Sequence, residues 1–253
     1  MRITYARRGS RTGRMLSELM PEELCDTPLV LNLGNSNFDE QPYLDEGYDF
    51  INRSRNIKNC VNKKSMFLNL IMADIPCLDY YDLEELESIN HSYLDLLLGK
   101  TLLLRSPHYR DYMLVSRDTP VVPFNPRYTY ATKLEDKLRE WRIIVFNGRI
   151  FRDWEKTPLD PTELYWHKEN CVFSKVRYPN NIPEDLALRS ALALGMDLCG
   201  VDILENKDHD YKVIEVNSSM ALSETSVLRL YRRIMRSYDI EPYEDCSEQN
   251  GDC

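Results

Sequence analysis

Two stretches in the last third of the chain place oxygen ligands at strand spacing. GVDIL covers residues 200–204, and VIEVNSS covers residues 213–219. In an antiparallel hairpin Asp202 and Glu215 can lie on neighbouring strands, and Asn217 shares a face with Glu215 because side chains alternate along a strand. Carboxylate and amide oxygens suit Mg²⁺, which also takes ligands from water and nucleotide phosphates. A half-exposed hairpin with polar side chains facing water is the alternative, but the two stretches together favour a magnesium site.

Helix-like and strand-like patterns follow one another around these residues. Apolar periodicity and turn residues predict strands at 3–5, 29–33, 48–53, 101–105, 112–116, 139–146, 149–153, 201–204 and 212–216. They predict helices at 10–20, 62–75, 84–98, 183–195 and 223–238, with a loop at 35–47. Asn147 and Gly148 suit a type I′ turn between two strands. The pattern predicts an α/β (α+β) chain in which strands are often adjacent in sequence.

The charge distribution disfavours a generic nucleic-acid binder. The chain has 253 residues with 32 basic and 41 acidic side chains, a formal charge of −9. Residues 239–253 hold six of the acids and no Lys or Arg, whereas the first 14 residues hold five Arg and no acid. The body is therefore nearly balanced and has no strong basic charge that could displace phosphate counterions.

Other classes of protein are excluded by composition. The apolar runs are far shorter than the roughly 20 residues that span a bilayer, so no membrane partner is expected. The arginine-rich start lacks the apolar stretch of a signal peptide. The seven cysteines are scattered without a C-x-x-C pair, which indicates reduced thiols in a cytoplasmic compartment rather than disulfides or zinc ligands.

An ordered set of motifs resembles the ATP-grasp superfamily, in which D-x-x on one strand and E-x-N on the next hold magnesium on ATP. The motifs are NKKSMFLNLIMADIP at 62–76, LLLR at 102–105, REWRIIVFNGRIF at 139–151, LALGMDLCGVDIL at 192–204 and VIEVNSS at 213–219. The order and spacing hold over about 62–230. The set is most similar to the branch that contains ligases adding glutamate to a ribosomal protein and ligases closing peptide rings.

The resemblance implies an ATP-grasp fold, in which two α+β lobes sandwich ATP behind a small α/β domain. The expected parts are the small N-terminal domain at 1–57, the first lobe at 58–134, the second lobe with the metal site at 135–238, and a flexible acidic tail at 239–253. Asp202, Glu215 and Asn217 would then bind Mg²⁺, as two ions, with Mn²⁺ as a possible substitute.

The resemblance also assigns cations to the nucleotide phosphates, whose negative charge must be neutralised. Lys63 and Arg105 would contact ATP, and Arg142 would act near the transferred phosphate. Each has a simpler alternative. Lys63 could be a solvated residue at a helix start, with Lys64 as the contact, and Arg142 could form an ion pair with Glu140 or a neighbour.

Further candidates rest on position alone. Lys133 lies in the stretch 128–135, where the family binds adenine, and an exposed loop lysine is the alternative. Lys175 and Arg177 lie where relatives place basic residues that face the substrate carboxylate or the γ-phosphate, so they are catalytic candidates.

The stretch 106–113 departs from the family pattern. SPHYRDYM contains no glycine, whereas the family covers the phosphates with a glycine-rich loop whose backbone approaches them closely. His108 and Arg110 could contact phosphate through their side chains instead. The alternative is a rigid turn without a nucleotide contact.

The function that the resemblance implies is an ATP- and Mg²⁺-dependent carboxylate–amine ligase. It would form an amide bond through an acyl phosphate on an amino acid or a peptide. Its partners would be ATP, a carboxylate and an amine. The glycine-poor stretch leaves open a non-catalytic nucleotide- or peptide-binding relative, and a kinase on the same fold is a third hypothesis.

Overall fold

The computed structural model describes residues 1–5, 10–19, 27–83, 100–106, 112–115, 128–163, 166, 170–176, 178–220 and 222–238. Strands β1 to β12 are Arg2–Tyr5, Leu29–Leu33, Asp49–Ile51, Tyr80–Asp82, Leu102–Arg105, Tyr112–Val115, Tyr130–Lys133, Lys137–Phe146, Arg149–Pro158, Cys171–Ser174, Leu198–Asn206 and Tyr211–Asn217. Helices α1 to α6 are Arg11–Leu19, Gln41–Asp45, Ser54–Val61, Lys63–Met72, Ile182–Ala193 and Glu224–Ser237.

The chain divides into two compact units, of which the first joins both ends of the sequence. It consists of Met1–Ile57 and the chain from Ser219 onward. Strands β1, β2 and β3 form a parallel sheet in that order, and α1 packs against α6. The buried Thr12 hydroxyl donates to the carbonyl of Met220 at 2.7 Å and accepts from the amide of Leu222 at 3.0 Å. This bonding fixes the chain entering α6 against α1.

The second unit, Lys58–Ser218, contains two antiparallel sheets. The four-stranded sheet has the order β4-β7-β5-β6, and the five-stranded sheet has the order β10-β9-β8-β11-β12. Local turns explain the two hairpins of the larger sheet. Asn147 and Gly148 have φ of 46° and 66°, as a type I′ turn requires. A short polar turn joins β11 to β12, so both predicted hairpins are confirmed.

The five-stranded sheet has one apolar and one charged face, because side chains alternate along each strand. Helix α5 contacts β8, β11 and β12. The apolar face of these three strands carries the fully buried side chains of Trp141, Ile143, Val201, Ile203, Val213 and Val216. The opposite face carries Glu140, Arg142, Asp202 and Glu215. The packing therefore fixes the register in which the charged side chains meet.

Most predicted elements are confirmed, and the differences are local. Part of the predicted loop 35–47 forms the short helix α2, which has a proline in its first turn, a position that proline favours. Helix α3 and strands β4, β7 and β10 were not predicted. The predicted helix 84–98 and the acidic tail 239–253 lie outside the described residues. Where the structure describes the chain, no helix is long and apolar enough to cross a bilayer.

Candidate active site

Arg142, Asp202 and Glu215 form one row across three adjacent strands. Asp202 lies opposite Arg142 on β8 and opposite Glu215 on β12. Directly paired residues in an antiparallel sheet have side chains on the same face, within contact distance. Asn217 lies opposite Gly200 in the next row and shares the face of Glu215. The structure thus brings the three predicted magnesium ligands to the charged face of β11 and β12.

Arg142 binds Asp202 through both ends of its guanidinium group. Its Nε donates to Oδ1 at 2.7 Å, and a terminal nitrogen donates to Oδ2 at 2.6 Å. Burial raises the pKa of Asp202, and the Arg142 charge opposes that shift. The carboxylate in turn raises the pKa of Arg142, which is therefore always charged. Of the alternatives for Arg142, the structure shows an ion pair with a neighbour, Asp202, rather than with Glu140.

Lys63 reaches Glu215 from the first turn of α4. Its ammonium group bonds to Oε1 of Glu215. Two sulfur contacts fix this helix segment against β12. The Cys60 thiol donates to the carbonyl of Val216 at 3.1 Å, and the Val216 amide donates to Met66 Sδ at 3.3 Å. Lys63 is thus held at the site by the packing of α3 and α4 on β12.

Lys64, the alternative to Lys63, faces another acid. Its ammonium group lies 2.9 Å from Asp82 on β4, and nearly half of the Lys64 side chain is exposed. Consecutive helical residues point in different directions, so one helix start cannot aim both lysines at Glu215. The geometry therefore favours Lys63 as the cation beside the predicted metal ligands.

Three cations act on the carboxylate of Glu215. Burial alone would raise its pKa, but Lys63, with contributions from Arg105 and Arg142, lowers the pKa to about 2. Burial likewise opposes the charge of Lys63, and Glu215 more than offsets this, so the pKa of Lys63 is raised. Arg105 ends β5 in the four-stranded sheet, so residues from both sheets contribute to one electrostatic cluster.

The donor set fits a magnesium ion that is shared with a nucleotide. Asp202 and Glu215 supply hard carboxylate oxygens, and Asn217 supplies an amide oxygen. No group of three His, Cys, Asp or Glu side chains in the described parts of the chain could hold a metal by itself. Mg²⁺ commonly completes its shell with water and phosphate oxygens. The residues therefore suit an ion that arrives with ATP better than a permanent structural metal.

Lys133 lies at the end of β7 and faces a buried acid. Its ammonium group is 3.4 Å from Glu135, which Lys212 on β12 also binds at 2.7 Å. Residues 134–136 connect the last strand of the four-stranded sheet to β8 of the other sheet. Lys133 is thus part of a bonded connection between the sheets rather than an exposed loop lysine.

The remaining predicted residues lie at the edge of the described chain. Lys175 directly follows β10 and is exposed. Arg177, His108 and Arg110 fall outside the described residues. Their predicted contacts stay predictions.

A buried ion network beside Arg142 was not predicted. Glu140 accepts from Lys156 at 2.5 Å and from Lys137 at 2.8 Å, and Lys156 also donates to the carbonyl of Trp166 at 2.6 Å. Burial would raise the pKa of Glu140, but the two lysines lower it. Counting outward from the Asn147-Gly148 turn would place Glu155 opposite Glu140, and the register shift after Ile144 brings Lys156 there instead. Counting along the two strands could therefore not have found this pair.

Comparisons with known proteins identify the family that part of the chain resembles. Residues 139–230 match the RimK-like ATP-grasp domain. Beta-citrylglutamate synthase B of Danio rerio is 23% identical over 241 residues, which cover 86% of this chain and 57% of that protein. N-acetylaspartylglutamate synthase A of Mus musculus is 24% identical over 195 residues, covering 69% of this chain and 48% of that protein. The chain thus spans about half the length of these curated relatives.

Solved ligase structures share the fold over nearly the whole chain. D-alanine–D-alanine ligase from Bacillus anthracis, complexed with ATP, superposes with a TM-score of 0.67 at 16% identity, covering 92% of this chain and 90% of that one. ATP-grasp ligase PsnB with a minimal precursor, Mg and ADP gives a TM-score of 0.66 at 12% identity, with 94% and 98% covered. The expected ATP-grasp fold is confirmed, and the resemblance to the ATP-grasp superfamily is supported by the match of residues 139–230 to the RimK-like ATP-grasp domain.

Proposed function

We propose that the protein is an ATP- and Mg²⁺-dependent carboxylate–amine ligase. The observation that supports this most strongly is the row of Arg142, Asp202 and Glu215 on the charged face of the larger sheet, with Lys63 bonded to its far end. Two acids that can hold a hard cation alternate there with cations that can neutralise phosphate. This is the charge pattern that a metal–triphosphate complex requires.

The proposed reaction has two steps. A carboxylate oxygen of the donor substrate attacks the γ-phosphorus of ATP, and the bond between that phosphorus and the bridging oxygen of ADP breaks. An amine then attacks the acyl carbon, phosphate leaves, and the amine loses a proton to solvent or a base. The acyl phosphate converts a poor leaving group into a good one, so the protein itself needs no nucleophile.

The residues of the charged face have distinct roles in this scheme. Asp202, Glu215 and Asn217 would hold magnesium, which when bound offsets the charge of the phosphates. Lys63 from α4 and Arg105 from the smaller sheet would neutralise the phosphates, and Arg142 would stabilise charge on the transferred group. Arg142 is already bonded to Asp202 and Lys63 to Glu215, so these groups would act by positioning and electrostatics.

The proposal extends to substrates and cofactor stoichiometry. The relatives' names describe synthases of β-citrylglutamate and N-acetylaspartylglutamate, and the structural neighbours include a D-alanine–D-alanine ligase and a ligase bound to a precursor peptide. These names support an amino-acid or peptide substrate. We also propose two Mg²⁺ ions, replaceable by Mn²⁺. The expected cytoplasmic location agrees with four free cysteines in the described chain.

ADP release in the presence of hydroxylamine tests the proposal. Hydroxylamine traps an acyl phosphate as a hydroxamate, so a panel of amino acids and short peptides can be screened without knowing the natural amine. We expect ADP and hydroxamate in equal amounts, and their loss in Asp202→Asn and Glu215→Gln. Unchanged turnover in both variants would contradict the assignment of the site.

The rival functions give different results in the same assay. Magnesium-dependent ATP binding without ADP release across the panel would favour a non-catalytic binding protein. A stable phosphorylated product that hydroxylamine does not trap would favour a kinase.

A further inference from the structure

Arg152 is a cation of the charged face that the proposed ligase chemistry leaves unassigned. It lies on β9 opposite Ile144 of β8, two positions from Trp154, which lies opposite Arg142. The pairing of β8 with β9 shifts register directly after Ile144. Such bulges change the direction of neighbouring side chains and occur often beside active sites.

The register places Arg152 one row from the proposed phosphate site. One row across the sheet consists of Trp154, Arg142, Asp202 and Glu215. The next consists of Arg152, Ile144, Gly200 and Asn217. Same-face neighbours along a strand are about 7 Å apart. Arg152 is therefore close enough to contact a substrate whose reacting group lies at Arg142.

The head group of Arg152 rests against an aromatic ring rather than an acid. Its guanidinium carbon is 5.7 Å from the centroid of the Trp154 ring, within the range of a cation–π interaction. Such a contact holds the planar head and leaves its N–H edge able to bind.

No acid of the described chain lies within ion-pair distance of Arg152, whereas Arg142 and Lys156 each have a bonded carboxylate. The two acids nearest in sequence, Asp153 and Glu155, pair with Ile143 and Trp141. They consequently point to the apolar face of the sheet. The side chain of Arg152 is only partly buried, so a ligand can reach it.

We infer that Arg152, supported by Trp154, binds the non-reacting carboxylate of a carboxyl donor that carries two acidic groups. This inference rests on the proposed ligase function. A guanidinium fork matches a carboxylate with two parallel hydrogen bonds. Phosphate is a less suitable partner here because Arg142, Lys63 and Arg105 already converge on the neighbouring row. Arg152 therefore selects acidic donors and does not take part in phosphoryl transfer.

Matched acids and amides test the inference in the hydroxylamine assay. The probes are glutarate, N-acetylglutamate and the dipeptide Glu-Glu, each compared with the counterpart in which one carboxyl is an amide. The variants are Arg152→Met, which keeps the length but removes the charge, and Arg152→Lys, which keeps the charge but not the fork. Arg149→Met is the matched control, because Arg149 is an exposed arginine of the same strand.

The expected result is a selective loss of acid binding. Wild-type protein should prefer an acid to its amide, and Arg152→Met should raise the KM of the acid by roughly 10- to 100-fold, as for a lost charge-assisted contact. The kcat, the KM for ATP and the KM of the amide should stay unchanged. Arg152→Lys should recover part of the loss, and Arg149→Met should match wild type.

Several results would overturn the role of Arg152. They are equal preference for acid and amide in wild type, an equal loss for both in Arg152→Met, or an increased KM for ATP. Turnover with neutral monocarboxylates but no acid preference would leave the ligase proposal standing. If no carboxylate elicits ADP, the ligase proposal fails. Titration of the same probes into the protein with Mg²⁺ and AMPPNP then tests Arg152 by itself. The inference is contradicted if wild type does not bind the acids, or if Arg152→Met binds them as well as wild type does.

Discussion

Arg142 and Lys63 each bond to a carboxylate that the proposed reaction requires for magnesium. Such buried pairs keep charged groups solvated by one another while no nucleotide is present, since an unpaired charge there would be costly. The sequence pointed to all four residues but not to the bonds between them. Arg142 and Asp202 are 60 positions apart, and their contact depends on β8 lying beside β11, which no local pattern encodes.

The depressed pKa of Glu215 predicts a specific acid sensitivity. Its pKa falls from an ordinary 4.5 to about 2 in the folded protein. The pair with Lys63 therefore stabilises the fold fully above pH 4.5, and this contribution is lost as the pH falls towards 2. Urea unfolding at pH 5 and pH 3 should show a larger loss of stability in wild type than in Glu215→Gln. Equal losses would show that Glu215 titrates normally.

The buried network around Glu140 predicts a large effect on stability. Glu140→Gln should lower the free energy of unfolding by about 3–5 kcal/mol, because Lys137 and Lys156 lose the carboxylate that compensates their buried charges. Urea unfolding at neutral pH measures the change. In the double variant Glu140→Gln with Lys156→Met part of the stability should return. A change below about 1 kcal/mol in the single variant, typical of an exposed pair, would contradict the network.

At the scale of elements, the sequence predicted those helices and hairpins whose formation depends on residues close to one another along the chain. The Asn-Gly turn and the alternating strands around it predicted the β8–β9 hairpin. The helical periodicity of residues 223–238 predicted α6, whose start the Ser223 side chain caps. Helix α3 was missed because its buried face carries only two apolar residues, Ile57 and Cys60. Two residues are too few to produce a periodic apolar pattern in the sequence. Its role comes from tertiary packing, since Cys60 bonds to β12.

The hairpin turn gives a prediction about backbone conformation. Gly148 has a φ of 66°, and a Cβ added there would meet no atom within 4 Å. The cost of Gly148→Ala is therefore purely conformational, about 1–2 kcal/mol. Gly148→Asn should cost less, since Asn tolerates this region better. Urea unfolding of both variants checks the order, and equal stability of Gly148→Ala and wild type would contradict the turn assignment.

At the scale of the whole molecule, the chain forms two compact units, and one of them combines two segments that are far apart in the sequence. The C-terminal helix α6 belongs to the same unit as the first 57 residues, and the second unit contains every described residue of the proposed site. The division into a small domain at 1–57, lobes at 58–134 and 135–238, and a tail stays a prediction from the resemblance. Long-range packing such as that of Thr12 with Met220 has no local sequence signal.

The acidic tail should be dispensable for nucleotide binding. Residues 240–253 contribute five of the 41 acidic side chains and no Lys or Arg, so they cannot neutralise phosphate. Deleting them should leave the affinity for ATP with Mg²⁺ unchanged, as calorimetry can measure. Loss of binding would show that the tail contributes to the site or to folding.

We propose above all that the charged face of the five-stranded sheet binds ATP together with magnesium. Calorimetric titration of AMPPNP, with Mg²⁺ and again with EDTA, measures this binding. For wild type we expect Mg²⁺ to lower the Kd at least tenfold, about 1.4 kcal/mol. Asp202→Asn with Glu215→Gln should abolish that difference, whereas Arg149→Met should retain it. Tightening by Mg²⁺ that persists undiminished in the double variant would contradict the claim.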